Sequence, residues 1–337
     1  MTIPLILLVT FPLSISQNLE IASIPKQTIQ LDSIPPTPLP AELDFEIKGY
    51  RHHLDKTCFI GHVLRVKDSF FVSYPQLGLV VRYSSDNQPA LLFGPEIKGG
   101  NGLPLHMPNT MMAMDGKLHI ADMLDSQIFI TDFNGELKDY DQLKKIRNPV
   151  PVPPWHTKTG KKERRYLVID HHQPQLLRRL DSKGKTRVHY AFGPNSHSRK
   201  SDPADWGFRG AACVTTDWDM VFAAFSSPVI WHFDKHTTVL KKIVLTSSEF
   251  CDSISIPVRR GFEGYPTPQD PIKDIHLEGN TYWVLLELKK QALMLVVDEK
   301  HEKLFQLDRN YDGFCLSPPY LTLYNRWQGI IRSFKLK

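Results

Sequence analysis

The chain has 337 residues, 41% of them hydrophobic, which is enough apolar material for a large buried core. Its formal net charge of +5 is mild, so composition gives no case for a nucleic-acid surface, which needs a dense basic face.

Residues 1–16, MTIPLILLVTFPLSIS, read as a secretory leader. The apolar run is too short to span a bilayer, and Ser14-Ile15-Ser16 forms a small-x-small cleavage site that leaves Gln17 as the new N-terminus. No Lys or Arg precedes the run, which is unusual for a leader, and no Cys follows the site, so a lipoprotein anchor is not expected. The expected location is secreted or periplasmic, with no membrane span. Residues 17–57 then hold an apolar-alternating strand at 27–32 and a proline-rich link at 34–40, read as extended polyproline II.

From residue 58 to 337 the chain repeats itself. Residues 107–139 show the unit most clearly: a strand, an Asp115-Gly116 turn, a second strand, a short break, a third strand, and an Asn134-Gly135 turn. Apolar runs reversed at DG or NG pairs signal antiparallel hairpins. Related copies begin near Phe70, Leu118, Tyr166, Met220, Tyr282 and Tyr320. They recur roughly every 40 to 60 residues, the spacing of propeller blades. The expected fold is all-β, a six-bladed β-propeller of four-stranded antiparallel blades, with five or seven blades as alternatives. The last blade lacks an outer strand, and residues 27–32 are expected to supply it and remove an open sheet edge.

The run Phe93-Gly94-Pro95, Gly99-Gly100, Met107-Pro108-Asn109 and then residues 116–122, GKLHIAD, resembles an NHL-type propeller repeat, whose third strand ends in D-x-x-G. Phe192-Gly193-Pro194 repeats the FG element. From residue 17 onward the chain resembles secreted bacterial six-bladed propeller proteins. That resemblance is specific for fold and weak for function, since propellers host binders, scaffolds and enzymes alike.

In a propeller, the links between blades and the breaks between second and third strands emerge on one face. Links this long are usually functional. The ligand-binding residues expected there are His106, Trp155, His156, Trp206, Arg209, Asp274, His276, Glu287, Asn325 and Arg326, with Trp327 nearby. Asn109, Asp122, Asp170, His171, His172 and Asp312 supply oxygen and imidazole donors suited to Ca or Zn. Pro108-Asn109 and Asp312-Gly313 resemble the calcium-site Asn and Asp of gluconolactonase- and paraoxonase-like propellers, which implies a metal-dependent lactonase or esterase. The glutamate that those families take from their first blade has no counterpart here. His106, His171, His276, Arg209 and Tyr324 resemble the zinc, Arg and Tyr set of peptide-amidating lyase propellers. No G-x-S-x-G, P-loop or dinucleotide motif is present. The basic run at 158–165, KTGKKERR, reads as a solvated hairpin tip.

Cys58, Cys213 and Cys315 fall on expected inner strands and Cys251 in a link. A Cys58–Cys315 pairing suits the closure, Cys213–Cys251 would then tie the blade-four loop, and buried thiols are the equal alternative. The resulting expectation is a monomeric, secreted propeller. It binds an extracellular small molecule, peptide, glycan or protein through its loop-rich face, with no assigned catalysis or cofactor. A Ca- or Zn-dependent hydrolase or lyase acting at the central opening is the alternative.

Overall fold

A computed structural model describes residues 24–48, 58–84, 86, 88–96, 99–143, 146, 149–156, 160–169, 177–190, 210–224, 229–248, 271–288 and 291–337. The chain forms six sheets, each with a core of four antiparallel strands, arranged as a six-bladed β-propeller. Blade one spans residues 62–93, blade two 108–142, blade three 149–190, blade four 210–246 and blade five 272–306. The innermost strands are His62–Val66, Pro108–Met114, Pro149–His156, Gly210–Val214, Ile272–Glu278 and Gly313–Ser317.

Blade two shows why the sequence folds this way. Its second strand, Lys117–Asp122, is buried from Leu118 onward. Successive side chains point to opposite sheet faces. Leu118 and Ile120 therefore pack toward Phe71, Val80 and Phe93 of blade one. Ala121 packs the other way, against Tyr166, Val168 and Leu180 of blade three. Both faces are covered, so the strand reads as an unbroken apolar run. The same division recurs around the ring. Each large aliphatic side chain enclosed between blades contributes about 1.5–3 kcal/mol.

The turns are equally specified. Asp132, Asp181, Asp234 and Asp298 follow the third strands of blades two to five. One carboxylate oxygen of each accepts two backbone N–H groups: Asn134 and Glu136 at 2.9 and 3.0 Å for Asp132, Lys183 and Lys185 at 2.9 and 3.0 Å for Asp181. His236 and Thr238 do so for Asp234, and Lys300 and His301 for Asp298. This side-chain capping of a turn is what Asp does best.

Hydrogen bonds join each blade to the next. Ser73 Oγ donates to the Asn109 carbonyl at 3.3 Å, Thr110 Oγ1 to that of Pro149 at 3.2 Å, and Trp218 Nε1 to that of Pro154 at 3.1 Å. His232 Nδ1 meets the Tyr282 hydroxyl at 2.6 Å. The Phe314 N–H donates to Asp274 at 3.0 Å, and the Ile60 N–H to the Arg326 carbonyl at 3.1 Å, which closes the ring.

The N-terminal segment departs from expectation. Residues 27–32 do not complete the last blade. Strand β1, Lys26–Gln30, instead adds in parallel to the outer strand Val239–Thr246 of blade four. Strand β2, Thr37–Pro38, adds in parallel to Glu302–Gln306 of blade five. Strand β3, Ala41–Lys48, is the one that completes blade six, antiparallel to Ile330–Leu336. The reason is side-chain complementarity. Ile29 and Leu31 enter the apolar layer between blades four and five. Glu42, Asp44 and Glu46 of β3 pair with Lys337, Arg65 and Arg332. The proline-rich link has few N–H groups; beside the two-residue bridge, its Pro40 carbonyl accepts the Lys337 N–H at 3.1 Å.

Candidate functional site

The loop-rich face is described best around blades six, one and two. In blade two, Asp122 ends the second strand and is fully buried. Its Oδ2 accepts the N–H groups of His106 and Met107 at 2.7 and 3.0 Å, and its Oδ1 those of Leu124 and Asp125 at 3.0 and 3.3 Å. With four donors already in place, Asp122 organises the loop. It sets out Leu124, which is 65% exposed. It also positions His106, whose Nδ1 lies 2.5 Å from Asp125 Oδ2. Asn109 is the bulged residue at the head of the inner strand. Lys273 holds the same position in blade five and pairs with Glu287 at 2.8 Å. Bulges of this kind re-aim a side chain.

Blade six carries a second polar cluster. Asn325 Oδ1 accepts the Trp327 and Gln328 N–H groups at 3.1 and 2.7 Å, and its amide donates to the Asn310 carbonyl at 3.0 Å. The turn thus fixed presents Trp327, which is 73% exposed. Its ring meets Phe59 edge-on at 4.9 Å. Arg326, one residue earlier, is half-buried. Its backbone N–H donates to Asp312 Oδ2 at 2.8 Å, and its guanidinium carbon lies 5.9 Å from the Tyr324 ring centroid. Tyr324 is buried. It reaches this point because Gly313 has no side chain: a Cβ there would lie 2.3 Å from the Tyr324 hydroxyl.

Two inner-strand residues face the same cluster. Asp274 accepts the Ile275 and Phe314 N–H groups at 2.9 and 3.0 Å. Burial pushes its carboxyl up to about 6, against those hydrogen bonds and the charge of Arg326. His62 is pushed down to about 4 by burial and then by Arg326, so it is neutral at pH 7. Its Nδ1 is enclosed and has no hydrogen-bond partner among the described residues. His62 was not anticipated from sequence, though it heads its inner strand as Asn109 and Gly313 head theirs.

Three expected residues lie elsewhere. Trp155 sits at the far end of its strand, on the opposite face. There it packs edge-on with Trp218 at 5.1 Å and lies under Arg179 at 4.6 Å. His156 follows it in pairing with Lys162, which places its backbone on that face too. His276 is deeper along its strand than Asp274, 3.6 Å from Cys213 Sγ and 3.5 Å from Glu278. Cys213 and Cys315 are thiols, so neither expected disulfide forms. The basic hairpin of blade three pairs with blade two, Lys162 with Asp115 and Arg164 with Asp139 and Asp141.

Asp170, His171, His172, Trp206, Arg209, Cys251 and the His156 side chain lie outside the described residues. Among the described residues no three His, Cys, Asp or Glu side chains converge as metal ligands. A separate cleft of about 390 Å³ lies between the N-terminal segment and blades four and five, lined by Leu31, Ile34, Pro36, Leu293 and Leu304. Its one carboxylate, Asp32, is already bonded to Ser247 and Ser248 at 2.9 and 2.8 Å.

Among solved structures, the chain is similar to a putative exported protein from Bacteroides fragilis. The identity is 8% and the TM-score 0.55, over 94% of this chain and 100% of that one. A streptogramin B lyase matches at 9% identity and a TM-score of 0.54, over 87% and 98% of the two chains. The virginiamycin B lyase from Staphylococcus aureus matches at 9% and 0.50, over 87% and 99%. At these identities the likeness is one of fold. No family model and no curated protein matches the chain.

Proposed function

We propose that the chain is an extracytoplasmic binding protein that takes a ligand or protein partner on its loop-rich face, in the sector formed by blades six and one. The observation that carries this reading is Trp327. A large aromatic ring, 73% exposed, is held in place by Phe59 and by a turn that Asn325 fixes from below. A pre-positioned exposed aromatic suits a binding anchor, because little side-chain freedom is lost when a partner covers it. The leader-like residues 1–16 support export. No helix among the described residues is long and apolar enough to cross a membrane. The finer assignment of the blades to the NHL-type repeat belongs to the same proposal. It rests on the GKLHIAD strand and on the Asp132 to Gly135 turn.

The test is a binding screen of the mature protein against extracellular peptides and glycans, repeated with Trp327→Ala. A ligand whose affinity falls at least tenfold in a variant of unchanged melting temperature supports the reading. Binding indifferent to both Trp327→Ala and Phe59→Ala rejects it. Metal content, measured with and without chelator on the same sample, addresses the Ca- or Zn-dependent hydrolase: one retained equivalent would favour that activity over simple binding.

A further inference from the structure

Several arginines among the described residues find counter-charges. Arg164 meets Asp139 and Asp141, Arg187 meets Asp181 at 2.7 Å, and Arg65 meets Asp44 at 3.3 Å. Arg326 does not. Its Nε is enclosed and makes no hydrogen bond among the described residues. Its guanidinium carbon lies 5.9 Å from the Tyr324 ring centroid. Asp274 and Asp312 act on it only through their field. A half-buried guanidinium whose Nε is enclosed and unbonded is costly to maintain without an anion. The enclosed, unpartnered Nδ1 of His62 responds to the charge of the same Arg326.

We infer that Arg326, Tyr324 and His62 form a site for a single carboxylate group at the mouth of the propeller's central opening. The guanidinium fork matches a planar carboxylate through two parallel N–H donors. Asp274 and Asp312 set the limit on ligand charge, since two neighbouring acids admit a monoanion and repel a dianion such as phosphate. The inference deepens the binding function proposed above, because Arg326 precedes Trp327 in one turn. The carboxylate comes from a free small acid or from the C-terminus of a peptide.

Acidity strengthens such a site. Asp274 is faced by Arg326 and Tyr324 from blade six, by Cys315 on the neighbouring inner strand and by Cys213 from blade four. Protonation of Asp274 below about pH 6 removes a repelling charge and adds a donor. His62 stays neutral through that range.

The full chain is titrated with sodium acetate, and separately with inorganic phosphate, at constant ionic strength, and acetate line-broadening is followed by NMR. Acetate is expected to saturate one site, to bind tighter than phosphate, and to gain about 3- to 10-fold in affinity from pH 7.5 to pH 5.5. Arg326→Lys is expected to weaken it at least tenfold and Arg326→Gln to abolish it. Tyr324→Phe, which keeps the ring in its pocket, provides a second weakened variant should the Gln variant misfold. Non-saturating acetate, unchanged affinity in Arg326→Lys, or equal binding of phosphate would overturn the inference. None of these outcomes touches the Trp327→Ala test, so failure of the carboxylate site and failure of the binding reading are separable. Peptides with free and amidated C-termini then distinguish the two sources.

Discussion

Asp122 and Asn325 hold the same place in blades two and six, and each turns the chain with the same atom. Oδ1 of each accepts the N–H groups two and three residues ahead, at 3.0 and 3.3 Å for Asp122 and 3.1 and 2.7 Å for Asn325. They differ at the second atom because the preceding links differ. The link before blade two offers N–H groups, so it is met by a carboxylate oxygen; the link before blade six offers the Asn310 carbonyl, so it is met by an amide N–H. Asp122→Asn should therefore place an NH₂ against two N–H groups. The expected loss is about 1–3 kcal/mol, the cost of stranding buried donors, read as a lower urea midpoint at unchanged slope. A midpoint equal to wild type would show that the amide finds another acceptor.

Arg65 should act as the clasp of the ring. It reaches from blade one into blade six, where it donates to Ser333 Oγ at 2.7 Å, pairs with Asp44 and lies 3.4 Å from the Tyr320 ring centroid. It also donates to the Lys67 carbonyl at 3.1 Å and is 7% exposed. Arg65→Ala removes the stacking and leaves Asp44 and Ser333 without their donor. A loss of about 2–4 kcal/mol is expected. Arg65→Lys should recover less than half of it, because an ammonium cannot stack and bond in the fork geometry. Equal stability of the Lys variant and wild type would reduce Arg65 to a simple charge.

Two N-terminal truncations should behave differently. A chain starting at residue 35 loses β1 along with Ile29 and Leu31, both buried. That removes about 3–5 kcal/mol of apolar burial and bares the edge of Val239–Thr246. The shortened protein should still fold but associate at high concentration, since a bare strand edge pairs with another chain. A chain starting at residue 49 also loses β3 and hence the closure of blade six, and it should not fold cooperatively. Light scattering and denaturation of the two proteins separate these outcomes.

Blade two was legible in the sequence because its signals are local. The Asp115-Gly116 turn, the Asp132 to Gly135 turn and the buried GKLHIAD strand all lie within one short stretch. Closure was not legible, because the choice between 27–32 and 41–48 depends on partners far along the chain, Val239–Thr246 for the first and Ile330–Leu336 for the second. Alternation favoured the first, whereas the acids of the second match Arg332 and Lys337. Trp155 was misplaced for a different reason. Pro149, Pro151, Pro153 and Pro154 suppress a strand reading, yet an innermost strand is a sheet edge where the missing N–H faces no neighbour. At the site, Asn325 and Arg326 could be named from their turn. The pairing of Arg326 with Tyr324 could not, since it depends on the missing side chain of Gly313 across the hairpin.

Asp274 should make stability depend on pH in a direction opposite to most carboxylates. Burial raises its carboxyl from 3.8 to about 6. Between those values the folded chain keeps a proton that the unfolded chain has released, so stability falls as pH rises through the window, and the cost persists above it. His62 and His119, both pushed down to about 4 by burial, act oppositely. From their unfolded value near 6.5 downward, the unfolded chain takes up protons that the folded chain refuses, and stability is lost on acidification. The wild-type profile mixes these effects, whereas the difference between Asp274→Asn and wild type isolates the carboxyl. Because both Asp274 oxygens accept backbone N–H groups, the amide loses one of them, an offset that does not vary with pH; against that offset the variant should gain about 1–3 kcal/mol on wild type from pH 4 to pH 7.5. A difference of the same size at both pH values would mean that Asp274 carries no charge penalty in the fold.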